Sequence, residues 1–400
     1  MTPPKNNAIS VHQPISPLLV LLMAVSAGIT VANIYYNQPI LKDIATEFKA
    51  TEAQAGIISM LSQVGYGLGL FFITPLGDKI NKKKLIVSLQ LLLIISLFLI
   101  TFTSSILQVW ILSMFIGMFS VSVQVIMPMA AGLDSENRGK TVGTIFTGLL
   151  IGILAARVFS GSIAEWFGWR NVYLFSGIAV TAVSILLKIY LPNVETAFNG
   201  SYIELLGSAL KQFKQFRLLR RLSTIGVLQF GLFCSFWTTL TFHLSGNPFN
   251  FKSDTIGLFG LVAIAGALLA PIIGKGADKG KSVRVRFLAV GLLIISILLM
   301  LFFQYSLPAL VLGVLLLDIG AQGLQVTNVA LIYTLGDESL HSRINTVYMT
   351  SFFIGGALGT SVGILCWQFG GWTWVTGQML ISALLIALLL TKEKYDTKIQ

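Results

Sequence analysis

Only 11% of the 400 residues are charged, against 55% hydrophobic, and the mean hydropathy is +0.82. Because soluble domains hold about a quarter charged residues, this composition excludes an ordinary soluble protein and predicts an all-α membrane protein. The net charge of +11 does not indicate nucleic-acid binding, because the basic residues collect between apolar segments. Two cysteines in separate apolar runs and three histidines predict no disulfide, no metal and no cofactor.

Twelve apolar segments follow one another along the chain, each long enough to cross ~30 Å of hydrocarbon as a helix. The first exceeds the core of a signal peptide and is expected to be retained. The first six predicted spans, numbered 1 to 6, are 17–40, 52–76, 84–103, 107–132, 140–164 and 170–191. Spans 7 to 12 are 221–245, 254–275, 285–304, 307–334, 342–366 and 371–391.

The longest connection, 192–220, divides the chain into a first set of six spans (1–191) and a second set (221–400). It mixes leucine and phenylalanine with lysine and arginine, a pattern typical of an amphipathic helix on a membrane surface. Short motifs recur about 200 residues apart, with Asp78 answered by Asp278. The repeat predicts two pseudo-symmetric six-helix bundles with a binding site between them near the bilayer midplane.

The basic residues also predict the orientation. With the N-terminus in the cytoplasm, 22 of the 27 lysines and arginines fall on the cytoplasmic side and four outside. Cytoplasmic connections of membrane proteins carry this excess. We therefore expect a multi-pass protein of the plasma membrane, or of the inner membrane of a bacterium, with both termini in the cytoplasm.

The loop between spans 2 and 3 resembles that of the major facilitator superfamily, specifically its twelve-span drug–proton antiporters. The family pattern is glycine, x, leucine, x, aspartate, arginine, x, glycine, arginine, arginine. This chain carries Leu76, Asp78 and several lysines at matching positions, with Thr74 and Asn81 in place of the two glycines. The resemblance extends from about Pro17 to Leu390.

The resemblance implies a monomeric transporter of a small solute, not an enzyme, which works by alternating access between two states. It also implies that the acid of this loop helps to hold one state by contacting the other set of spans. The residues of this expected conformational lock are Asp78, Lys79, Arg138 and Asp278.

Two positions depart from the antiporter pattern. Span 4 carries Ser113 where family members have an arginine four residues before a glycine, and span 5 carries Ala156 and Arg157 at the Gly-Pro position. Proton-coupled export of an amphiphilic solute is the main expectation. Import of a small solute, such as an anion, by symport or uniport is the alternative, and a non-transporting membrane sensor is the alternative of another class.

Two charged side chains fall inside predicted spans. Asp318 is the one acid in the middle of a span, and Arg157 is the one base. At a rise of 1.5 Å per residue they lie ~16 Å and ~11 Å from the outer ends of their spans, at similar depth in different sets. Since such charges are costly and usually functional, we expect a pair that couples protons to transport. A permanent ion pair that only fixes helix packing is the alternative.

Polar side chains of several spans are expected to line a substrate cavity. Asp318, Gln322 and Gln325 are spaced four and three residues apart, so they share one face of span 10. Hydrogen-bonding groups among aromatic rings suit an amphiphilic solute, although bonds between helices are the alternative for each residue. The expected cavity residues are Asn33, Tyr36, Asn37, Gln63, Gln124, Gln229, Trp237, Gln322, Gln325 and Tyr348.

Overall fold

The computed structural model describes residues 15–134, 137–194, 200–274 and 282–399, and these are almost entirely helical. Ten of the described helices are long and apolar enough to cross a membrane. One of the ten, Leu340–Lys392, is long enough for two crossings, and Ser253–Ala265 is a shorter apolar helix. Together they account for the twelve predicted spans and confirm an all-α membrane fold of two six-helix bundles.

The first set of spans contains several breaks. Its helices are Pro17–Ala32 and Asn37–Glu47 (span 1), Glu52–Leu68 (span 2), Lys82–Ile100 (span 3), Ile106–Phe119 and Ser122–Leu133 (span 4), Arg138–Phe167 (span 5) and Trp169–Tyr190 (span 6). Span 2 ends in a π-helical turn, Gly69–Ile73, and a 3-10 turn, Thr74–Asp78. Span 1 breaks where Asn33 Nδ2 donates to Ile29 O at 2.9 Å, because such a side chain competes with the backbone amides for helix carbonyls.

The second set is more continuous. Its helices are Arg217–Ser245 (span 7), Ser253–Gly274 (span 8), Ser282–Phe302 (span 9), Leu307–Ile332 (span 10) and Glu338–Ile399, which holds spans 11 and 12. The chain leaves helical geometry between spans 11 and 12 at Gly370 and Gly371. The φ of Gly371 is +59°, a conformation that side chains other than glycine rarely adopt.

Within each set, spans pack through glycine. Span 1 packs against span 5, where a Cβ on Gly28 would lie 2.5 Å from the Gly148 carbonyl oxygen. Span 7 packs against the helix of span 11, where a Cβ on Gly359 would lie 2.1 Å from the Gly231 carbonyl oxygen. Small residues permit such close approach in lipid, where helices gain little from burying apolar side chains against each other.

The two ends of the bundle differ in their connections. One end, called here the linker end, carries the 2–3 loop and a helix in the predicted linker, Tyr202–Gln215, which begins with a capping box of Ser201 and Glu204. The opposite end carries the 1–2 and 7–8 loops. Across the two sets, span 5 packs against span 8 and span 2 against span 11.

Candidate functional site

Arg157 lies within span 5, enclosed by side chains of spans 1 and 7. It is 2% exposed, and its Nε donates a hydrogen bond of 2.7 Å to Oε1 of Gln38. Its guanidinium carbon lies 3.8 Å from the centre of the Trp237 ring and 5.5 Å from that of Tyr35. The cation is therefore held by a hydrogen bond from the first set and by an aromatic face from the second.

Asp318 of span 10 has no exposed surface. Within the part of the chain that the structure describes, neither of its oxygens accepts a hydrogen bond, and Nη1 and Nη2 of Arg157 donate none. The two charges interact electrostatically, yet no nitrogen–oxygen distance of 4 Å or less joins them. Because buried charges without partners are costly, a proton on Asp318 or a bound group beside the pair would stabilise this arrangement.

Hydrogen bonds and an ion pair join the two sets near the opposite end. Ser253 Oγ donates to Asp43 Oδ2 at 2.5 Å, and the Lys252 ammonium pairs with the Glu165 carboxylate. Two further bonds are Trp367 Nε1 to Glu52 Oε2 at 2.6 Å and Thr241 Oγ1 to the Gln38 carbonyl at 2.7 Å. Each bond joins a residue before the linker to one after it, so the opposite end is closed.

Spans 5 and 8 approach closely on the same side. A Cβ on Gly161 would lie 2.3 Å from the Ser253 carbonyl oxygen, and a Cβ on Gly257 would lie 2.5 Å from that of Arg157. Neither position can accept a larger residue unless the helices separate. The glycine contact therefore belongs to the closed arrangement of the opposite end.

A cavity of about 260 Å³ lies at the linker end, between the two sets. Its walls include Asp78 and Gln124 from the first set and Tyr333 and Arg343 from the second. The linker helix contributes Leu205. One end is thus closed by bonds between the sets while the other holds a polar cavity between them, which is the geometry of one state in alternating access.

The predicted cavity residues separate into several environments. Asn33 and Asn37 bond within the first set, since Asn33 Oδ1 accepts from Ser176 Oγ at 2.7 Å and Asn37 Oδ1 accepts from Ser59 Oγ. Gln124 lines the linker-end cavity and donates to the Tyr66 hydroxyl at 3.0 Å. Trp237 contacts Arg157, while Gln63 lies in a different depression on the membrane side.

The remaining predicted cavity residues are in the second set or beside span 5. Gln229 donates to the Ala321 carbonyl at 2.7 Å, and the ring of Tyr36 lies 5.4 Å from that of Phe159. Tyr348 is fully buried, whereas Gln322 and Gln325 are half-buried on span 10. The structure therefore brings only some of the predicted set together.

The described residues of the predicted lock, Asp78, Lys79 and Arg138, lie at the linker end. Asp78 is exposed and lines the cavity opposite Arg343, and Lys79 is exposed beside it. Arg138 donates to the Ala131 carbonyl at 3.3 Å and pairs with no acid within the described ranges. Asp278 lies outside the described residues. Among the described residues Asp78 makes no ion pair, as is expected while this end is open.

Sequence reasoning missed the partners that hold these groups. Gln38 bonds Arg157 across 119 residues of sequence, and Ser253 bonds Asp43 across 210. The polar run around Gln38 was visible in span 1, but its partner was not. Asp43, Glu165 and Lys252 stand near span ends, where a charged residue is ordinary and gives no signal.

Two six-helix bundles around a buried charge pair, closed at one end and hollow at the other, define a multi-pass membrane transporter. The family model described as the Major Facilitator Superfamily matches residues 23–360, and the chain belongs to that family.

Relatives and solved structures agree with this class. The chain is 41% identical over 363 residues to the transporter YgaY of Escherichia coli, covering 90% of this chain and 92% of that one. It is 25% identical to a multi-drug resistance efflux pump PmrA homolog of Lactococcus lactis, with 78% of each chain covered. The crystal structure of the nucleoside transporter NupG superposes with a TM-score of 0.74 at 14% identity, covering 94% of this chain and 98% of that one.

Proposed function

We propose that this transporter exports a small amphiphilic solute in exchange for protons. It lies in a bacterial inner membrane with both termini in the cytoplasm. In that orientation the linker end is cytoplasmic, and the cavity beside Asp78 and Arg343 faces the cytoplasm. The observation that carries the proposal is the buried Asp318, which has no hydrogen-bond partner among the described residues and lies within electrostatic reach of Arg157.

The two side chains have separate roles in the cycle. Asp318 belongs to the second set and carries the transported proton, while Arg157 is bonded to Gln38 in the first set. Movement of one set against the other changes the distance between the charges. Because a nearby cation favours the carboxylate and burial favours the neutral acid, that movement drives proton uptake and release.

A lock at the cytoplasmic side completes the proposed cycle. Asp78 and Arg343 line the same cavity from different sets. When the cytoplasmic side closes, we expect Asp78 to pair with a basic residue of the second set as the bonds of the opposite end break. The similarity to a named efflux pump homolog supports export but does not identify the solute.

Import of an anion with a proton is the second candidate. It is favoured by Nη1 and Nη2 of Arg157, two buried donors without an acceptor among the described residues. A carboxylate or phosphate would satisfy both donors in the paired geometry that arginine prefers. The two candidates differ in whether the proton moves against the solute or together with it.

Proteoliposomes with a pH-sensitive dye inside test the proposal. A solute gradient directed inward should raise the internal pH for an antiporter and lower it for a symporter. Asp318→Asn should abolish the proton signal and the transport driven by a proton gradient, while leaving exchange of solute for solute. Asp337→Asn, at an exposed aspartate, is the control and should behave as wild type. Solute flux without a proton signal, unchanged in Asp318→Asn, would reduce the buried acid to a packing residue.

A further inference from the structure

A second depression, of about 510 Å³, lies on the membrane side between spans 2 and 11. It is called here the lateral groove. Its walls are almost entirely apolar, and several of its side chains are exposed where a soluble protein would bury them. Those exposed residues are Leu68, Phe72, Ile354 and Leu358. The volume falls in the range of ligand sites, about 300–1,000 Å³.

The linker helix borders the lateral groove at one end. Leu210 and Phe213 of that helix contribute to the lining, and the Tyr202 hydroxyl bonds to the carbonyl of Phe72. An amphipathic helix lies in the interface between water and hydrocarbon. The groove therefore faces the leaflet on the linker side, and its occupant comes from that leaflet.

Two polar side chains distinguish the lateral groove from an ordinary lipid-facing contact between helices. Gln63 lines it and is 1% exposed, and its Oε1 accepts no hydrogen bond among the described residues. Thr350 lines it too, and its Oγ1 is buried without a described partner. An acceptor left unpaired in an apolar site costs about 1–3 kcal/mol, so a donor on the occupant would be stabilising.

The lining also restricts the charge of the occupant. Among the described residues that line the groove, none is Asp, Glu, Lys or Arg. An ionised head group would lose its hydration there without a counter-charge. A neutral head with a hydroxyl or amide N–H fits, because it supplies a donor for Gln63 while an alkyl chain covers the apolar walls.

We propose that the lateral groove binds a neutral, single-chain amphiphile from the linker-side leaflet, with its head-group donor on Gln63 Oε1 and its alkyl chain between spans 2 and 11. This inference goes beyond the transport proposed above, because binding there requires neither Asp318 nor a proton gradient.

The test uses the full chain in phosphatidylethanolamine–phosphatidylglycerol nanodiscs. The probes are a sixteen-carbon alcohol with a diazirine in mid-chain and the alkane of the same length. After illumination, mass spectrometry maps the labelled peptides. We expect the alcohol to label 63–72 and 347–358 well above other membrane-facing segments. Gln63→Leu should lower alcohol labelling about two- to tenfold, the range of one hydrogen bond, and leave alkane labelling unchanged.

Gly67→Leu should block the lateral groove. A Cβ on Gly67 would meet the Phe353 Cβ at an ordinary 3.6 Å, so the fold accepts the first side-chain atom, and we expect the rest of the leucine to extend into the groove that Gly67 lines. Gly291→Leu, at a glycine of span 9 with nothing within 4 Å of its Cβ position, is the matched control. Should Gly67→Leu fail to fold, Ser351→Phe on the facing wall replaces it.

Two outcomes would overturn the proposal. One is labelling spread evenly over all membrane-facing spans, as ordinary bilayer lipid gives. The other is groove labelling that Gly67→Leu leaves unchanged while Gly291→Leu behaves as wild type. A proton-flux measurement on the same purified variants in proteoliposomes separates this result from that for transport, because loss of either activity leaves the other measurable.

Discussion

At the scale of single residues, Arg157 depends on the shape of its side chain as well as on its charge. The hydrogen bond to Gln38 comes from Nε, and the flat guanidinium lies 3.8 Å over the Trp237 ring. Lysine has no Nε branch and stacks less well on an aromatic face. A change that keeps the charge therefore removes the hydrogen bond and weakens the stacking.

We expect Arg157→Lys to reduce solute transport about 30-fold, corresponding to ~2 kcal/mol for a lost hydrogen bond and a weakened cation–π contact together. The reduction should exceed that of Gln38→Ala, which removes the hydrogen bond and leaves the stacking in place. Initial rates in proteoliposomes, with protein folding checked by gel filtration, measure both variants. Equal activity of Arg157→Lys and wild type would show that only the charge matters.

How far the sequence predicts the site is clear from this pair. The apolar residues around Asp318 and Arg157 were sufficient to predict that both are buried, one in each set. Charged side chains within a span almost always face the interior of the bundle. The sequence did not predict that Gln38 and Trp237 contact the Arg157 guanidinium, because these contacts depend on how the two bundles face each other. Helical spacing predicts which residues share one face of a helix, but it does not predict which residue of another helix packs against that face.

At the scale of helices, glycine decides how closely spans 5 and 8 approach. Gly161 contacts the Ser253 backbone near the closed end, whereas Gly143 on the same helix has nothing within 4 Å of its Cβ position. The two glycines differ only in what lies opposite them. Substitution of one should change the balance of states, and substitution of the other should not.

Gly161→Val should therefore favour the state in which the opposite end is open. Overpacking costs about 1–3 kcal/mol, which corresponds to a shift of roughly 5- to 150-fold in the equilibrium. Spin labels at Phe102→Cys and Tyr305→Cys, in a chain with Cys234 and Cys366 replaced by alanine, report the distance across that end by pulsed electron resonance. We expect a longer distance in Gly161→Val and the wild-type distance in Gly143→Val.

The sequence also predicted where helices cross the membrane better than how they bend. Apolar runs long enough to span were sufficient for all twelve crossings. The break at Asn33 in span 1 and the π-helical turn after Leu68 in span 2 depend on side-chain bonds and packing that a hydropathy pattern does not contain. Both breaks lie in the helices expected to line the transport path.

At the scale of the whole molecule, the closed end is held by a few polar bonds between the two sets. The ion pair of Lys252 and Glu165 is the exposed one, and Glu165 raises the pKa of the Lys252 ammonium. A raised pKa means that this contribution to closure is complete below the ordinary lysine value of about 10.4 and is lost as the pH rises through the higher value. Between pH 6 and 9 the Lys252 ammonium therefore stays charged.

Lys252→Gln should raise the population open at the opposite end by a few-fold at most, because exposed ion pairs are weak. Any pH dependence of the Phe102–Tyr305 label distance between pH 6 and 9 should persist in this variant. The control is Lys49→Gln, at an exposed lysine of the 1–2 loop. If the pH dependence vanished in Lys252→Gln alone, the surface pair rather than a buried acid would be the proton sensor.

The two charges of the central site lie one in each set, so neither half of the molecule carries the complete site. Exchange of either half for a second copy of the other should therefore give a chain that reaches the membrane without a working centre.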